Sequence, residues 1–306
     1  MSMAEAIIIT IIVASTPLLL AALGELVAER AGVLNLGVEG MMIMGAVAGF
    51  IATYESGQPI VGIVAAVFAG MLTASLFAFV TLVLVANQVA SGLALTLLGI
   101  GFSALIGESY ANKPGIKLSR IHIPGLTDIP FVGPIVFGQD PLVYVTILLV
   151  IGVSWFLFRT RGGLILRAVG DNHVSAHALG YGVVRVRFLA VLFGGACAGL
   201  AGAYLSLVST SQWLDNMTAG RGWIALALVV FATWLPWRLA IGALLFGAVG
   251  ILQFHAQALG IRVPAQFLSA LPYLITIVVL VLISGNRLLM RSNTPAMLGQ
   301  SFVPDR

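Results

Sequence analysis

Long, uninterrupted apolar runs dominate this sequence and restrict what it can fold into. Residues 6–24, 60–85 and 141–158 contain no charged side chain. Only 8% of the chain is charged, whereas a soluble domain carries about a quarter. Backbone polar groups in lipid must be paired internally, and runs of this length without period-2 alternation favour helices over barrel strands. We therefore predict an all-α, polytopic transmembrane helical bundle.

About nine spans fit into the chain. Residues 1–306 leave no room for a separate soluble domain, so a single transmembrane domain is expected. Eight or ten spans remain open, because residues 24–53 could contain a re-entrant segment. The first run lacks a preceding basic segment and is interpreted as a retained helix and not as a signal peptide. The predicted spans are 6–24, 33–53, 60–85, 89–108, 141–158, 188–208, 222–236, 239–258 and 267–284.

Arginine clusters predict the orientation. One cluster lies in the short loop 159–187 and the other follows the last span. Short loops rich in arginine stay in the cytoplasm, so both clusters and the C-terminus are predicted to be cytoplasmic. The Pro- and Gly-rich loop 109–140 and the N-terminus are then external. The net charge of +4 is spread over loops and does not indicate a nucleic-acid partner. The arginines concerned are Arg159, Arg161, Arg167, Arg185, Arg187, Arg287, Arg291 and Arg306.

An inverted repeat is worth testing. Pro59 and Gly70 match Pro236 and Gly247 at a constant offset of 177 residues, in spans predicted to run in opposite directions. Chance matches in such a glycine-rich sequence would look the same.

The first polar segment within the apolar sequence contains Asn35 and Glu39. Their spacing of four places them on one face if the segment is helical. Polar groups in the membrane usually face protein or a water-filled path. We interpret the pair either as the polar lining of a translocation path or as a structural hydrogen bond.

The second segment is the loop between the fifth and sixth predicted spans. Asp171 or Asn172 can cap a short helix over His173–Leu179, and Gly180 can end it. A helix this short needs a supporting surface, either a partner protein or its own helix ends. His173 and His177 have a spacing that could hold a metal, but no third ligand is evident, and we predict none.

The third segment contains Arg221 and Trp223 at the start of the seventh predicted span. Arg221 is either an interfacial anchor or a group that steers solute. Trp234 and Trp237 are interpreted as an aromatic belt. No catalytic constellation, no cofactor motif and no Walker A sequence occurs, so neither catalysis nor ATP hydrolysis is expected of this chain.

These three segments carry a resemblance to a known family. Residues 32–42 (GVLNLGVEGMM), 167–172 (RAVGDN) and 217–227 (MTAGRGWIALA) resemble signatures of the permease subunits of bacterial ATP-binding-cassette importers, in the branched-chain amino acid and simple-sugar group. The third segment most resembles the nucleoside-type branch. The likeness extends in order over residues 25–285.

The resemblance implies a fold like that of type II importers and a subunit of a larger transporter. Its partners would be an ABC ATPase, a second and different permease chain, an external solute-binding lipoprotein, a small polar solute and the inner-membrane bilayer. Translocation-path candidates are Asn35, Glu39, Arg221 and Trp223. The segment that couples to the ATPase would contain Arg167, Ala168, Val169, Gly170, Asp171, Asn172, His173, His177 and Gly180.

The solute is expected to be a nucleoside. Simple sugars and branched-chain amino acids are the alternatives. An ion-coupled secondary carrier is the rival from another class, and Glu39 is the residue that keeps it open.

Overall fold

The computed structural model describes residues 3–111, 113–258 and 293–303, together with residues 274, 277, 278 and 281. All regular structure in these residues is helical. The last turns of α3 and α9 continue as π-helical segments, Phe79–Val83 and Leu205–Ser209. The helices are α1 (Met3–Arg30), α2 (Val38–Ser56), α3 (Pro59–Ala78), α4 (Gln88–Gly107), α5 (Val132–Val136), α6 (Pro141–Arg159), α7 (Arg161–Asp171), α8 (His173–Ala178), α9 (Val183–Tyr204), α10 (Arg221–Phe231) and α11 (Pro236–Ala258).

Five of these segments are long and apolar enough to cross a membrane, which agrees with the predicted polytopic bundle. They are α1, α4 with the turn that follows it, α6, and α3 and α9 with their π-helical ends. All but four residues of the predicted ninth span, 267–284, lie outside the described residues. Nine spans therefore stays a prediction.

Several predicted boundaries were wrong. α1 does not end at residue 24 but continues to Arg30, because its charged last turns are buried against protein. α2 begins at residue 38 and not at 33, after a buried, non-helical connection over residues 31–37. α10 has 11 residues, about 16 Å, and is too short to cross a bilayer.

The 159–187 segment also differs from the predicted loop. Besides the predicted short helix, α8, it contains a second helix, α7, which Thr160 caps by accepting a hydrogen bond from the Gly163 N–H at 3.1 Å. Arg185 and Arg187 belong to α9, which begins at Val183.

Glycines let α9 pack closely against α2 and α3. Gly45 lies against the Gly199 backbone, and a Cβ on Gly199 would overlap the carbonyl group of Ala66. Helices in lipid associate by van der Waals contact, which small residues make possible. The core of the bundle is therefore a backbone-to-backbone contact centred on α9.

The arrangement of the helices is consistent with the suggested inverted repeat. Pro59 and Pro236 each lie at the start of a helix, α3 and α11. α9 packs against α2 and α3 as α1 packs against α10 and α11. α3 starts at the end of the bundle that carries residues 108–140, whereas α11 starts at the end that carries α7. We call these the long-loop end and the α7 end.

Replacing Gly199 should disrupt this core. We expect Gly199→Val to lower the free energy of unfolding by about 1–3 kcal/mol, because the added methyl groups have no space. The matched control is Gly101→Val, since nothing lies within 4 Å of a Cβ at Gly101. Thermal unfolding of the two purified variants in detergent measures the effect, and equal midpoints would contradict it.

Candidate functional site

The predicted short helix exists and is built as its sequence indicates. The Asn172 side chain accepts a hydrogen bond from the Ser175 N–H at 2.9 Å and caps α8. Gly180, with φ of +87°, ends the helical segment. Of the two cap candidates, Asn172 and not Asp171 performs this role.

A C-terminal tail, residues 293–303, packs against this region. The Met297 N–H donates to the Gly170 carbonyl at 2.9 Å, and the Gly299 N–H donates to the Gly32 carbonyl at 3.2 Å. The Phe302 ring contacts the rings of His173 and His177, with 5.2 Å between centroids in both pairs. The tail thus joins α8 to the connection that follows α1.

Arg187 is the centre of this assembly, although its sequence context indicated only a loop charge. It is fully buried. Its Nε donates to the Ala31 carbonyl at 3.1 Å and its Nη1 to the Gln300 carbonyl at 2.8 Å. Its Nη2 lies 3.1 Å from His173 Nδ1, which must accept the hydrogen bond because a guanidinium has only donors.

The predicted coupling residues divide into a buried and an exposed group. Val169, Gly170 and His173 are buried, and Gly170 packs on the Arg30 carbonyl. Arg167 is half-buried over the Phe158 ring. The buried residues attach α7 to the bundle, and any partner must contact the exposed ones: Ala168, Asp171, Asn172, His177 and Gly180, with the apolar Val174 and Leu179 on the same segment.

The two histidines do not gather further metal ligands in the part of the chain that the structure describes. Within those residues no group of three or more His, Cys, Asp or Glu side chains could hold a metal ion. Both histidine rings instead contact the Phe302 ring.

Glu39 lies in the interior of the bundle. Gly45 contacts Gly199 and Gly49 contacts Ala203, so α2 and α9 run parallel. Glu39, six residues before Gly45, is therefore level with Phe193, near the midpoint of the Val183–Ser209 span.

The Glu39 carboxylate caps α10 at this depth. Its Oε1 accepts from the Gly220 N–H at 2.8 Å and its Oε2 from the Gly222 N–H at 2.5 Å. The first N–H groups of a helix have no partner within the helix. α10 can begin inside the bundle because Glu39 supplies one.

Asn35 does not share a helix face with Glu39, because it lies in the 31–37 connection. Its N–H donates to Glu25 Oε1 at 3.0 Å, and its side-chain oxygen accepts from the Gly37 N–H at 2.9 Å. Both side chains are buried. Asn35 therefore supports the irregular entry to α2.

A buried polar contact also holds the turn between α10 and α11. Trp234 Nε1 donates to Glu29 Oε2 at 2.6 Å, and Arg30 donates from Nε and Nη2 to the Trp234 carbonyl at 3.2 and 3.0 Å. Trp234 is buried, so its assignment to an aromatic belt was wrong, whereas Trp237 is exposed. The three charges of Glu25, Glu29 and Arg30 in one apolar helix were the signal for this contact, and the predicted boundary at residue 24 hid it.

Arg221 borders a cavity of about 400 Å³ between α1, α10, α11 and the end of α9. Its Nη1 donates to the carbonyls of Met217 at 2.8 Å and Thr218 at 3.5 Å. Trp223, the next predicted path residue, is exposed and does not line this cavity. Of the four path candidates, Glu39 and Arg221 are therefore neighbours, whereas Asn35 and Trp223 point elsewhere.

Sequence comparisons show which known proteins this chain resembles. Residues 7–283 match the family described as branched-chain amino acid transport system / permease component. The chain is 40% identical to a putative glucose ABC transporter permease protein of Haloferax volcanii, in an alignment that covers 99% of this chain and 98% of the relative. It is 32% identical to a guanosine ABC transporter permease protein of Bacillus subtilis, in an alignment that covers 97% of this chain and 97% of the relative. It is 31% identical to a nucleoside ABC transporter permease protein of Lactococcus lactis, over 92% and 93% of the two chains. No solved structure matches the chain.

The attachment of the tail should weaken in acid. Burial, followed by the nearby Arg187 charge, lowers the pKa of His173 below its ordinary value of 6.5. The released, solvated histidine therefore binds a proton more readily than the packed one, and protonation favours release. As the pH falls below about 6.5, the protection factors of the α8 amides, which correct for the slower intrinsic exchange at lower pH, should decrease. His173→Gln, which keeps an acceptor and does not titrate, should remove the pH dependence. An unchanged profile in that variant would contradict the assignment.

Removing the cap of α10 should destabilise the bundle. Glu39→Ala leaves the buried Gly222 N–H and the partly buried Gly220 N–H without this partner and should lower the free energy of unfolding by roughly 2–3 kcal/mol. Glu39→Gln keeps one acceptor and should cost less. Thermal unfolding midpoints in detergent should decrease in the order wild type, Glu39→Gln, Glu39→Ala. A midpoint for Glu39→Ala equal to that of wild type would show that the cap is dispensable.

Proposed function

This chain belongs to the branched-chain amino acid transport system permease family, and we propose from that premise that it carries a nucleoside through the inner membrane as one subunit of an ABC importer. As a multi-pass membrane permease it is a transport component and not an enzyme. ATP hydrolysis would come from a separate ATPase subunit. The single observation that carries the proposal is the folded, partly exposed α7–α8 unit at one end of an apolar bundle.

The docking partner would bind the exposed face of α8. Val174 and Leu179 expose 60% and 77% of their surface although both are apolar. Val174 lies in α8, which has only six residues, and Leu179 follows directly after it; the tail and Arg187 hold the helix from the opposite side. A short helix fixed in this way can transmit movement from a bound partner to the bundle, and an ABC ATPase is the partner proposed for it.

The remaining partners follow from the family. A second, different permease chain would complete the path, and an external lipoprotein would deliver the solute. On this proposal the α7 end and the C-terminus face the cytoplasm, and the 109–140 loop faces outward. The arginines at the α7 end agree with this orientation.

Nucleosides are the proposed solute. Two of the similar proteins are permeases for guanosine and for nucleosides, and the 217–227 segment was the part of the sequence that favoured this branch. A sugar is the second candidate, because the relative with 40% identity is a putative glucose permease. Branched-chain amino acids have no comparable support among these three relatives.

The contacts provide a route by which movement of α8 would reach the path. Gly170 of α7 packs on the Arg30 carbonyl, and Arg30 holds the Trp234 carbonyl in the turn between α10 and α11. The opposite end of α10 carries Arg221. ATP binding would shift α7 and α8, and α1 would pass the shift to α10, which would alternate the access to the path.

An aspartate at Leu179, the exposed residue directly after α8, should block docking. We expect Leu179→Asp to reduce co-purification of the ATPase and solute uptake at least tenfold, since the charge would be buried in an apolar contact. Ile129→Asp is the matched control, because Ile129 is an exposed apolar residue in the loop 109–140.

The experiment uses the complete transporter in membranes, with membrane insertion checked for each variant. Wild-type ATPase recovery with Leu179→Asp would contradict the docking site. Uptake by the purified chain alone in liposomes, without any ATPase, would contradict the importer and favour a secondary carrier.

A further inference from the structure

The cavity beside Arg221 lies in the half of the bundle nearest the long-loop end. Leu205 and Ser209, at the end of α9, line it together with Thr10 and Pro17 of α1. Arg221 borders it at the start of α10, which begins near mid-depth at the Glu39 cap, and Ile224 lines it one turn further along the same helix. A solute that enters this cavity from the long-loop end would reach the Arg221 guanidinium.

The Arg221 side chain has donors available for a ligand. Its Nη1 binds two backbone carbonyls, and none of the hydrogen bonds that the structure shows among the described residues uses Nε or Nη2. Glu39 accepts from the N–H groups on both sides of Arg221, and this places a carboxylate close to the guanidinium charge. A charged group in the membrane interior that faces a cavity marks a solute path by default.

The chemistry of the wall restricts the ligand. Apart from Arg221, the polar side chains that line the cavity are those of Thr10 and Ser209, and the Thr10 hydroxyl already donates to the Ala6 carbonyl at 2.7 Å. The remaining lining is aliphatic, aromatic or glycine, including Phe246 and Ile224. A sugar would leave most of its hydroxyl groups without partners there, and each unpaired group is costly. A purine base presents apolar faces to this wall and confines the hydroxyl groups of a nucleoside to its ribose, which Ser209 and the open side of the cavity would receive.

An arginine fork has a specific complement among such rings. Its paired donors bind two acceptors on one edge, as in the bidentate contact with O6 and N7 of guanine. Adenine presents a donor, the N6 amino group, where guanine presents O6, so the same fork meets a donor. The cavity volume of about 400 Å³ is within the range of small-molecule sites.

We propose that Arg221 is a specificity-determining residue of the permease, which binds the O6/N7 edge of a 6-oxopurine nucleoside in this cavity. The inference rests on the proposed nucleoside import and adds to it a preference for guanosine and inosine over adenosine. This preference would belong to the permease itself and would be separate from that of the solute-binding lipoprotein.

The test separates the permease from the lipoprotein. The permease–ATPase complex without lipoprotein is placed in nanodiscs, and binding of tritiated guanosine is measured against adenosine and glucose as competitors. We expect guanosine to bind at least tenfold more tightly than adenosine. Arg221→Met should remove guanosine binding, whereas Arg221→Lys should keep weak binding and lose the preference, since an ammonium lacks the planar fork.

Arg238→Met is the matched control, because it removes an arginine near the start of α11, at the α7 end of the bundle and away from the cavity, where Arg238 stacks on Trp237. It should bind guanosine as wild type does. Uptake by the complete transporter with lipoprotein is measured in parallel for every variant, and basal ATPase activity reports that each complex is assembled.

The outcomes are distinguishable. Guanosine uptake with no effect of Arg221→Met or Arg221→Lys on binding or preference would overturn the inference and leave the importer intact. Uptake of glucose and not of nucleosides by the wild-type complex would overturn the inference together with the proposed solute. Loss of ATP dependence in the wild-type complex would overturn the proposed importer itself.

Discussion

The first N–H groups of α10 lie in the interior of the bundle, and the rest of the arrangement depends on how they are satisfied. Lipid offers no hydrogen bonds, so a helix that begins inside a membrane protein needs an acceptor from a neighbouring element. Glu39 of α2 provides both of its oxygens. A helix of 11 residues can therefore occupy about half of the membrane thickness and leave space between its first residue and the long-loop end. That space is the cavity that Arg221 borders.

Close packing around α9 makes this cap geometrically possible. α2 can present Glu39 to α10 because the glycines at 45 and 199 bring α2 and α9 together at their backbones. At the α7 end the same principle applies to α7, since Gly170 approaches the backbone of Arg30. The contacts between α8, the end of α1 and the Trp234 turn thus form a continuous protein layer at the α7 end, beyond the last residue of α10. Polar side chains, and not lipid-facing surfaces, hold that layer together.

The comparison of sequence and structure separates local signals from distant ones. Asn172 and Gly180 were correctly predicted to bound a short helix, because capping and left-handed turns depend on neighbouring residues. α7 was missed, since two adjacent glycines weaken helix propensity and the cap at Thr160 is easily overlooked. Glu29 and Arg30 were assigned to a loop, because charges normally end an apolar span. Their partner, Trp234, lies about 200 residues away in the sequence, as the separation of 205 for the indole contact shows.

The sequence by itself determined that the chain is an all-helical membrane protein, the family to which it belongs and the short helix at α8. These properties depend on run length, composition and residues within one or two turns of each other. Only the tertiary structure decided that Glu39 is a helix cap, that Arg187 joins the tail to α8 and that Arg221 faces a cavity. A charged side chain in an apolar sequence must find a partner, but the identity of that partner is set by which helices pack together, and that pairing is not encoded in local spacing.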